Sequence, residues 1–150
     1  MKIRIEIDES LKEEEIIIRS KCFNDELQKI QKAVTEVIQM GQKIAFYKED
    51  TEYYLSLEEI LFFETEGSVV YAHTEKETYG TKYRLYELEE ILPGFFMRVS
   101  KSTILNTNHI YAINRSLPAS CVVQFQNTHK QVYVSRYYYK PLKNRLEEKR

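Results

Sequence analysis

The 150-residue sequence contains no tryptophan, two cysteines, three histidines, three prolines and four glycines. The scarcities of cysteine, histidine and glycine each remove a class of function. Cys22 and Cys121 lie far apart with no CxxC spacing, which argues against a disulfide framework, and both thiols are expected to be buried. His73, His109 and His129 each stand without a second ligand at metal spacing, so no zinc site is indicated. Gly41, Gly67, Gly80 and Gly94 are scattered through separate turns and cannot form the closely spaced loop that cradles a phosphate or a dinucleotide. Ser-His and Cys-His nucleophile signatures are missing. The acid pairs Glu58-Glu59 and Glu89-Glu90 read as solvated faces, with nothing to select either for proton transfer. The chain is therefore expected to be no enzyme and to need no cofactor or metal. Its start, "MKIRIEIDES", alternates charge with isoleucine where a secretory leader has a basic start and an apolar block, and no apolar run is long enough to span a bilayer. A cytoplasmic protein is expected.

What is present is a core and a polarity of charge. Apolar residues make up 43% of the chain, with 12 Tyr and 7 Phe, and the length suits one compact domain with a small appendage. The division is expected near residue 42, between an N-terminal strand and helix segment, 1–42, and a main domain, 43–150. Net charge is −1. That total hides two opposed parts: residues 1–94 hold 12 Lys and Arg against 21 Asp and Glu, whereas residues 95–150 hold 10 against 2. A cationic third of this kind is drawn to polyanions by the same electrostatics that bring Lys and Arg to phosphates. It could also be neutralised by the acidic part across the fold, so charge alone leaves two readings open.

"KIRIEI" has the period-two pattern of a strand with one buried face, and "EEIIIR" is a second short strand candidate. Asn24 is placed to cap a helix with Asp25 and Glu26 in its first turn, Leu27, Ile30, Val34, Val37 and Ile38 on one face, and Gly41 as its stop. From Lys43 the chain turns into short β-rich runs, "IAFY", "YYLSL", "ILFFET", "VVYAHT" and "TYGTK", broken by polar turns. "RLYELEEIL" interrupts them at helical spacing and stops at Pro93-Gly94. Strands resume as "TIL", "HIYAI", "CVVQF" and "QVYVS", with "RSLPAS" and "NTHK" as turns. Because proline suits the first turn of a helix, Pro141 suggests a loop from Ser135 and then a short terminal helix. The class is mostly β with short helices. Phe96 and Ile104 should be buried.

The polar groups that cluster lie in the cationic third beside strand ends. Arg98, Lys101 and Ser102 precede "TILN", Ser135, Arg136 and Tyr137 follow "QVYV", and Lys140 continues that segment. Arg and Lys forks beside hydroxyls suit phosphate oxygens and the guanine edge in a major groove, and almost no acid accompanies them in the sequence.

Three stretches in order, "ILFFETEGSVVYAHT", "YRLYELEEILPGFFMRVSKSTILNTNHIYAI" and "VYVSRYYYKPLKNRL", resemble the LytTR family of bacterial DNA-binding domains. The family pattern has a strand ending in Glu, a turn and a second strand. A Leu-rich helix, "F-x-R-x-H/S-x-S-x-x-V/I-N", an "I" strand and a late "S-R" follow. Phe96, Arg98, Ser102, Asn106 and Ile110 match its middle, and Ser135 and Arg136 its end. The resemblance covers residues 43–148. It implies an elongated β fold that inserts loops, not a recognition helix, into successive major grooves of double-stranded DNA. Ser68, Arg98, Lys101, Ser102, Ser135, Arg136, Tyr137 and Lys140 would be the DNA-contacting residues. Ser68 stands where the family often has Asn or His, and Lys101 occupies a variable position that would tune sequence preference.

The resemblance also implies a stand-alone transcriptional regulator, because the roughly 42 residues ahead of the match are too few for a receiver domain. Stand-alone members of this size resemble regulators held in check by a small membrane-bound inhibitory partner. Arg98 is expected to clamp a phosphate and Asn106 to hold its loop. The other reading is a protein-interaction module whose basic third docks an acidic partner. Residues 1–41 carry 7 basic and 9 acidic side chains, which suits assembly or regulation better than contact with phosphates, and a homodimer on paired sites is expected.

Overall fold

The computed structural model describes residues 1–40, 43–117 and 120–148, and among them the side chains of all but 39, 40, 116, 117 and 120. In chain order, Asn24 opens the first helix, α1 (Asp25–Met40), its Oδ1 accepting the Leu27 amide at 2.9 Å as an N-cap. The β-rich runs then fold into hairpins: β1 (Lys43–Lys48) with β2 (Thr51–Ser56), and β3 (Phe62–Glu66) with β4 (Val69–His73). The second hairpin turns in two residues, Gly67 and Ser68, and Gly67 takes φ 64, which glycine adopts without steric cost. After β5 (Thr78–Thr81) comes the Leu-rich helix α2 (Leu85–Ile91), which buries Leu85 and Leu88. The chain continues through β6 (Phe96–Arg98), β7 (Thr103–Asn106), β8 (Ile110–Leu117), β9 (Ser120–Phe125) and β10 (Gln131–Val134) to α3 (Arg136–Glu148).

The strands make two antiparallel sheets, one of seven strands in the order β2-β1-β5-β4-β3-β7-β6 and one of three in the order β10-β9-β8. Toward one edge of the large sheet β3 lies beside β7, with Phe62 opposite Leu105 and Phe63 opposite Ile104. Successive side chains leave opposite faces of a strand. Phe63 and Ile104 therefore join Phe46, Leu88 and Phe96 in a core under α2, while Phe62 and Leu105 join Val123, Phe125, Val132 and Leu142 in a second core under the small sheet and α3. The expected burial of Phe96 and Ile104 is observed.

Four expectations need correction. Residues 2–7 and 14–19 do not form the strands that their patterns suggest, because a strand needs a neighbour for its amides and carbonyls and no described strand lies beside them. Cys22 is exposed, since it sits in this uncovered segment, whereas Cys121 is buried. No loop follows Ser135: α3 begins at Arg136, so Arg136, Tyr137 and Lys140 are helical, and Pro141 lies inside the helix. There it forfeits the bond to the Tyr137 carbonyl, but buried Leu142 anchors the helix and Arg145 Nη1 donates to the Gly94 carbonyl at 2.6 Å. Tertiary packing outweighs propensity here. Within "RSLPAS", Arg115, Ser116 and Leu117 belong to β8, and 118–119 lie outside the described residues, as does the expected stop at Gly41.

α1 is only partly covered. Leu27, Ile30 and Val34 are half-buried while Val37 and Ile38 are exposed. The helix meets the rest of the chain at Gly94, where an added Cβ would come within 2.6 Å of Glu36 Oε1.

Two stability effects follow from this packing. Phe96→Ala should cost about 3 to 5 kcal/mol in denaturant unfolding, as aromatic truncation in a packed core does; an unchanged midpoint would show that the cores do not depend on it. His73 stacks on Phe62 with ring centroids 4.3 Å apart, and burial, with Lys130 nearby, pushes its pKa down from 6.5 to about 4. Between those values the unfolded chain binds the proton and the folded one does not, so stability should fall as pH drops through that window. His73→Phe, which keeps the stacking ring and removes the titration, should flatten that part of the pH profile.

Candidate nucleic-acid interface

The loop between β6 and β7 is built from the inside outward. Val99 is fully buried, and its amide donates to the Thr103 carbonyl at 3.0 Å, closing the loop over Ser100, Lys101 and Ser102. Arg98 braces it from one side: Nε donates to the Ser100 carbonyl at 2.8 Å, Nη2 to the Lys101 carbonyl at 2.5 Å, and Nη1 is paired with Glu89 of α2. Two of the bonds are to loop carbonyls, so the guanidinium fixes the backbone while the Lys101 side chain is left exposed. Ser100 Oγ lies 3.3 Å from Ser102 Oγ and accepts the Ser102 amide at 3.2 Å.

Backbone bonds tie this loop to the other two segments. The Thr65 amide, near the end of β3, donates to the Ser102 carbonyl at 2.8 Å, and the Ser135 amide donates to the Val99 carbonyl at 2.9 Å. The β3–β4 hairpin bearing exposed Ser68, the loop bearing Lys101 and Ser102, and the start of α3 are thus joined on one framework. Ser100, Ser102 and Ser135 share a recess of about 340 Å³ with Glu64 and Tyr133. Arg136, Tyr137 and Lys140 are exposed on the first turns of α3, where the helix has no acidic residue and its unpaired amides add positive potential.

The cationic third is not neutralised pair by pair. Among the described residues the ion pairs are Arg4–Glu6, Lys48–Glu77 and Arg98–Glu89, and of these just one joins residues 95–148 to the acidic part. Three further cations are engaged otherwise: Arg115 lies over the Tyr139 ring at 3.9 Å, Lys130 Nζ donates to the Glu77 carbonyl at 2.6 Å, and Arg145 Nη1 donates to the Gly94 carbonyl. Burial lowers the Lys130 pKa, while Lys101, Arg136 and Lys140 stay at the surface. A hollow of about 730 Å³ elsewhere is lined by Glu58, Glu59 and Glu75 against Lys76, a net acidic lining that does not suit phosphate.

Two participants escaped the sequence reading. Glu89 was assigned to a solvated face, yet it is the acid that holds Arg98; which strand α2 lies beside is not a local property. Tyr133 could have been found, since alternation in "QVYV" buries Val132 and Val134 and turns Tyr133 outward beside Ser135. Asn106 is structural, as expected, but it holds the end of β7 away from the Lys101 loop: fully buried, it donates from Nδ2 to the Ile60 carbonyl at 3.1 Å and accepts the Asn108 amide at 2.9 Å.

Residues 50–147 match the family model described as the LytTr DNA-binding domain. Over 148 residues the chain is 30% identical to an uncharacterised HTH-type transcriptional regulator of Staphylococcus aureus strain bovine RF122 / ET3-1, covering 97% of this chain and 98% of that protein. A counterpart in Staphylococcus aureus strain NCTC 8325 / PS 47 is 30% identical over 146 residues, with 97% and 98% covered. Among solved structures, the LytTr DNA-binding domain of a protein described as a methyl-accepting/DNA response regulator from Bacillus cereus superposes with a TM-score of 0.64 at 26% identity, over 69% of this chain and 94% of that one. Despite the label on the staphylococcal relatives, no two helices among the described residues are joined by the short turn of a helix-turn-helix; strands separate α1, α2 and α3.

The brace on the loop is open to direct measurement. Glu89→Gln removes the carboxylate charge that holds Arg98, so the amides of Ser100, Lys101 and Ser102 should exchange hydrogen faster than in the parent while those of β3 do not change. Equal exchange in the two proteins would show that Glu89 has no part in ordering the loop.

Proposed function

Because the chain belongs to the LytTr DNA-binding domain family, we propose that it is a sequence-specific transcriptional regulator whose loops enter successive major grooves of double-stranded DNA. What supports this reading above all is the set of exposed cations and hydroxyls on three segments held together by backbone bonds, with few acids to answer them. In it Lys101 reads base edges, as a lone ammonium above a fixed backbone can. Ser68, Ser102 and Ser135 offer hydroxyls to phosphate or base. Arg136 and Lys140 bind the phosphate backbone beside the helix start, and Tyr137 packs against the sugars.

Arg98 acts differently from the phosphate clamp expected for it. Three of the five N–H donors of a guanidinium are engaged within the protein, so its main work is to present Lys101, with the remaining donors available to a phosphate. Two copies joined through the N-terminal segment would read paired sites about one or two helical turns apart, roughly 10 to 21 base pairs.

The deciding experiment is selection of bound sequences from a random duplex pool, followed by titration of binding against salt. Affinity should fall steeply with salt because phosphate contacts release counterions. Absence of duplex binding at low salt would favour an acidic protein partner instead. Lys101→Ala should cost about 1 to 3 kcal/mol on the selected site and little on random duplex. Arg136→Ala and Lys140→Ala should weaken both alike and lower the salt slope by about one unit each; equal losses on both DNAs for Lys101→Ala would remove it from the reading set.

A further inference from the structure

Residues 1–8 form no helix, turn or bend and have no strand partner, and Ile3, Ile5 and Ile7 are 93%, 82% and 90% exposed. Alternation puts these three isoleucines on one side and Lys2, Arg4, Glu6 and Asp8 on the other. On that side Arg4 Nη2 lies 2.7 Å from Glu6 Oε1. The charges run basic, basic, acidic, acidic, and this order is its own complement when the strand is reversed.

In an antiparallel pair, directly opposed residues share a face. Setting Ile5 opposite Ile5 of a second copy also sets Ile3 opposite Ile7, Arg4 opposite Glu6 and Lys2 opposite Asp8. The neighbouring registers are worse, and a parallel pair offset by four residues matches just three positions and closes on no two-fold axis. A slide of two residues puts Arg4 opposite itself, or Glu6 opposite itself in the other direction. A slide of one sets isoleucine against charge, and an in-register parallel pair stacks every like charge. An exposed apolar strand with free amides is otherwise an aggregation hazard that proteins cover or pair.

We propose that residues 2–8 are a self-recognition strand through which two copies of this chain form a two-fold antiparallel ladder centred on Ile5. The six isoleucines on its apolar face need cover, since a bare two-stranded ribbon is marginal in water. The same segment carries it in Ile16, Ile17 and Phe23, all exposed in the single chain. The two-fold axis passes through Ile5, so the contact closes on a dimer and does not propagate. This inference deepens the paired-site part of the proposed function and is independent of which residues read bases.

The test uses the full chain in a Cys22→Ser background, because Cys22 is an exposed free thiol. Ile5→Cys should give a disulfide-linked dimer on mild oxidation; Ile3→Cys and Ile7→Cys should not link to themselves but should link to each other when mixed. In sedimentation, Lys2→Glu/Arg4→Glu and Glu6→Lys/Asp8→Lys should each lose the dimer of the parent, and an equimolar mixture of the two should regain it as a heterodimer. A parent that stays monomeric, charge variants that dimerise like the parent, or a mixture that fails to associate overturns the ladder. Binding to a single DNA site is read separately: a parent that dimerises in this register but ignores duplex supports the ladder and overturns the DNA reading.

Discussion

The pairing of β3 with β7 is the constraint on which the rest of the molecule depends. Both strands are covered on both faces, so Phe62 and Leu105 feed one core while Phe63 and Ile104 feed the other. A slip of one residue would exchange these sets, sending each side chain into the core built for its neighbour. Asn106 and Thr107 oppose such a slip. The Asn106 amide donates to the Leu61 carbonyl at 2.8 Å, and the amide and hydroxyl of Thr107 each reach the Phe95 carbonyl at 2.8 Å. A buried amide with all its partners specifies one register; the same group misplaced would lose them at a cost of about 1 to 3 kcal/mol.

The candidate interface inherits its order from this pair. At the opposite end of β7 from Asn106, the Ser102 carbonyl accepts from Thr65, and Val99 accepts from Ser135. The polar side chains are thus carried on loops whose backbones belong to the sheet, which keeps them within the narrow geometric tolerance that recognition of base edges requires. Arg98 and Glu89 add the charge that points the loop backbone. The cost of fixing these groups is met in folding and not at the moment of binding.

The charge polarity has a structural counterpart. The cationic side chains beside the loops stay at the surface because the acids in the first part of the chain are mostly placed elsewhere, around the large hollow and along the N-terminal segment. Like charges left unpaired weaken the compact state slightly. Two well-packed cores tolerate that, and the exposed cations remain available to a polyanion.

Much of this was legible in the amino-acid order. Alternating runs, the Asn24 cap, the Gly67 turn and the Leu-rich interruption are written in residues that touch their near neighbours, and the buried places of Phe96 and Ile104 follow from the apolar pattern. The motif from Phe96 to Asn106 carried the family as well. By itself the sequence determined the β-rich class and the place of the cationic clusters along the chain, because propensity and charge are local properties. Only the tertiary structure decided that Glu89 meets Arg98, that α3 starts at Arg136 and carries Pro141 inside it, and that residues 1–8 find no strand beside them. Each of these turns on which surfaces meet after the chain has closed on itself, and free energy from such distant contacts is large enough to override local preference.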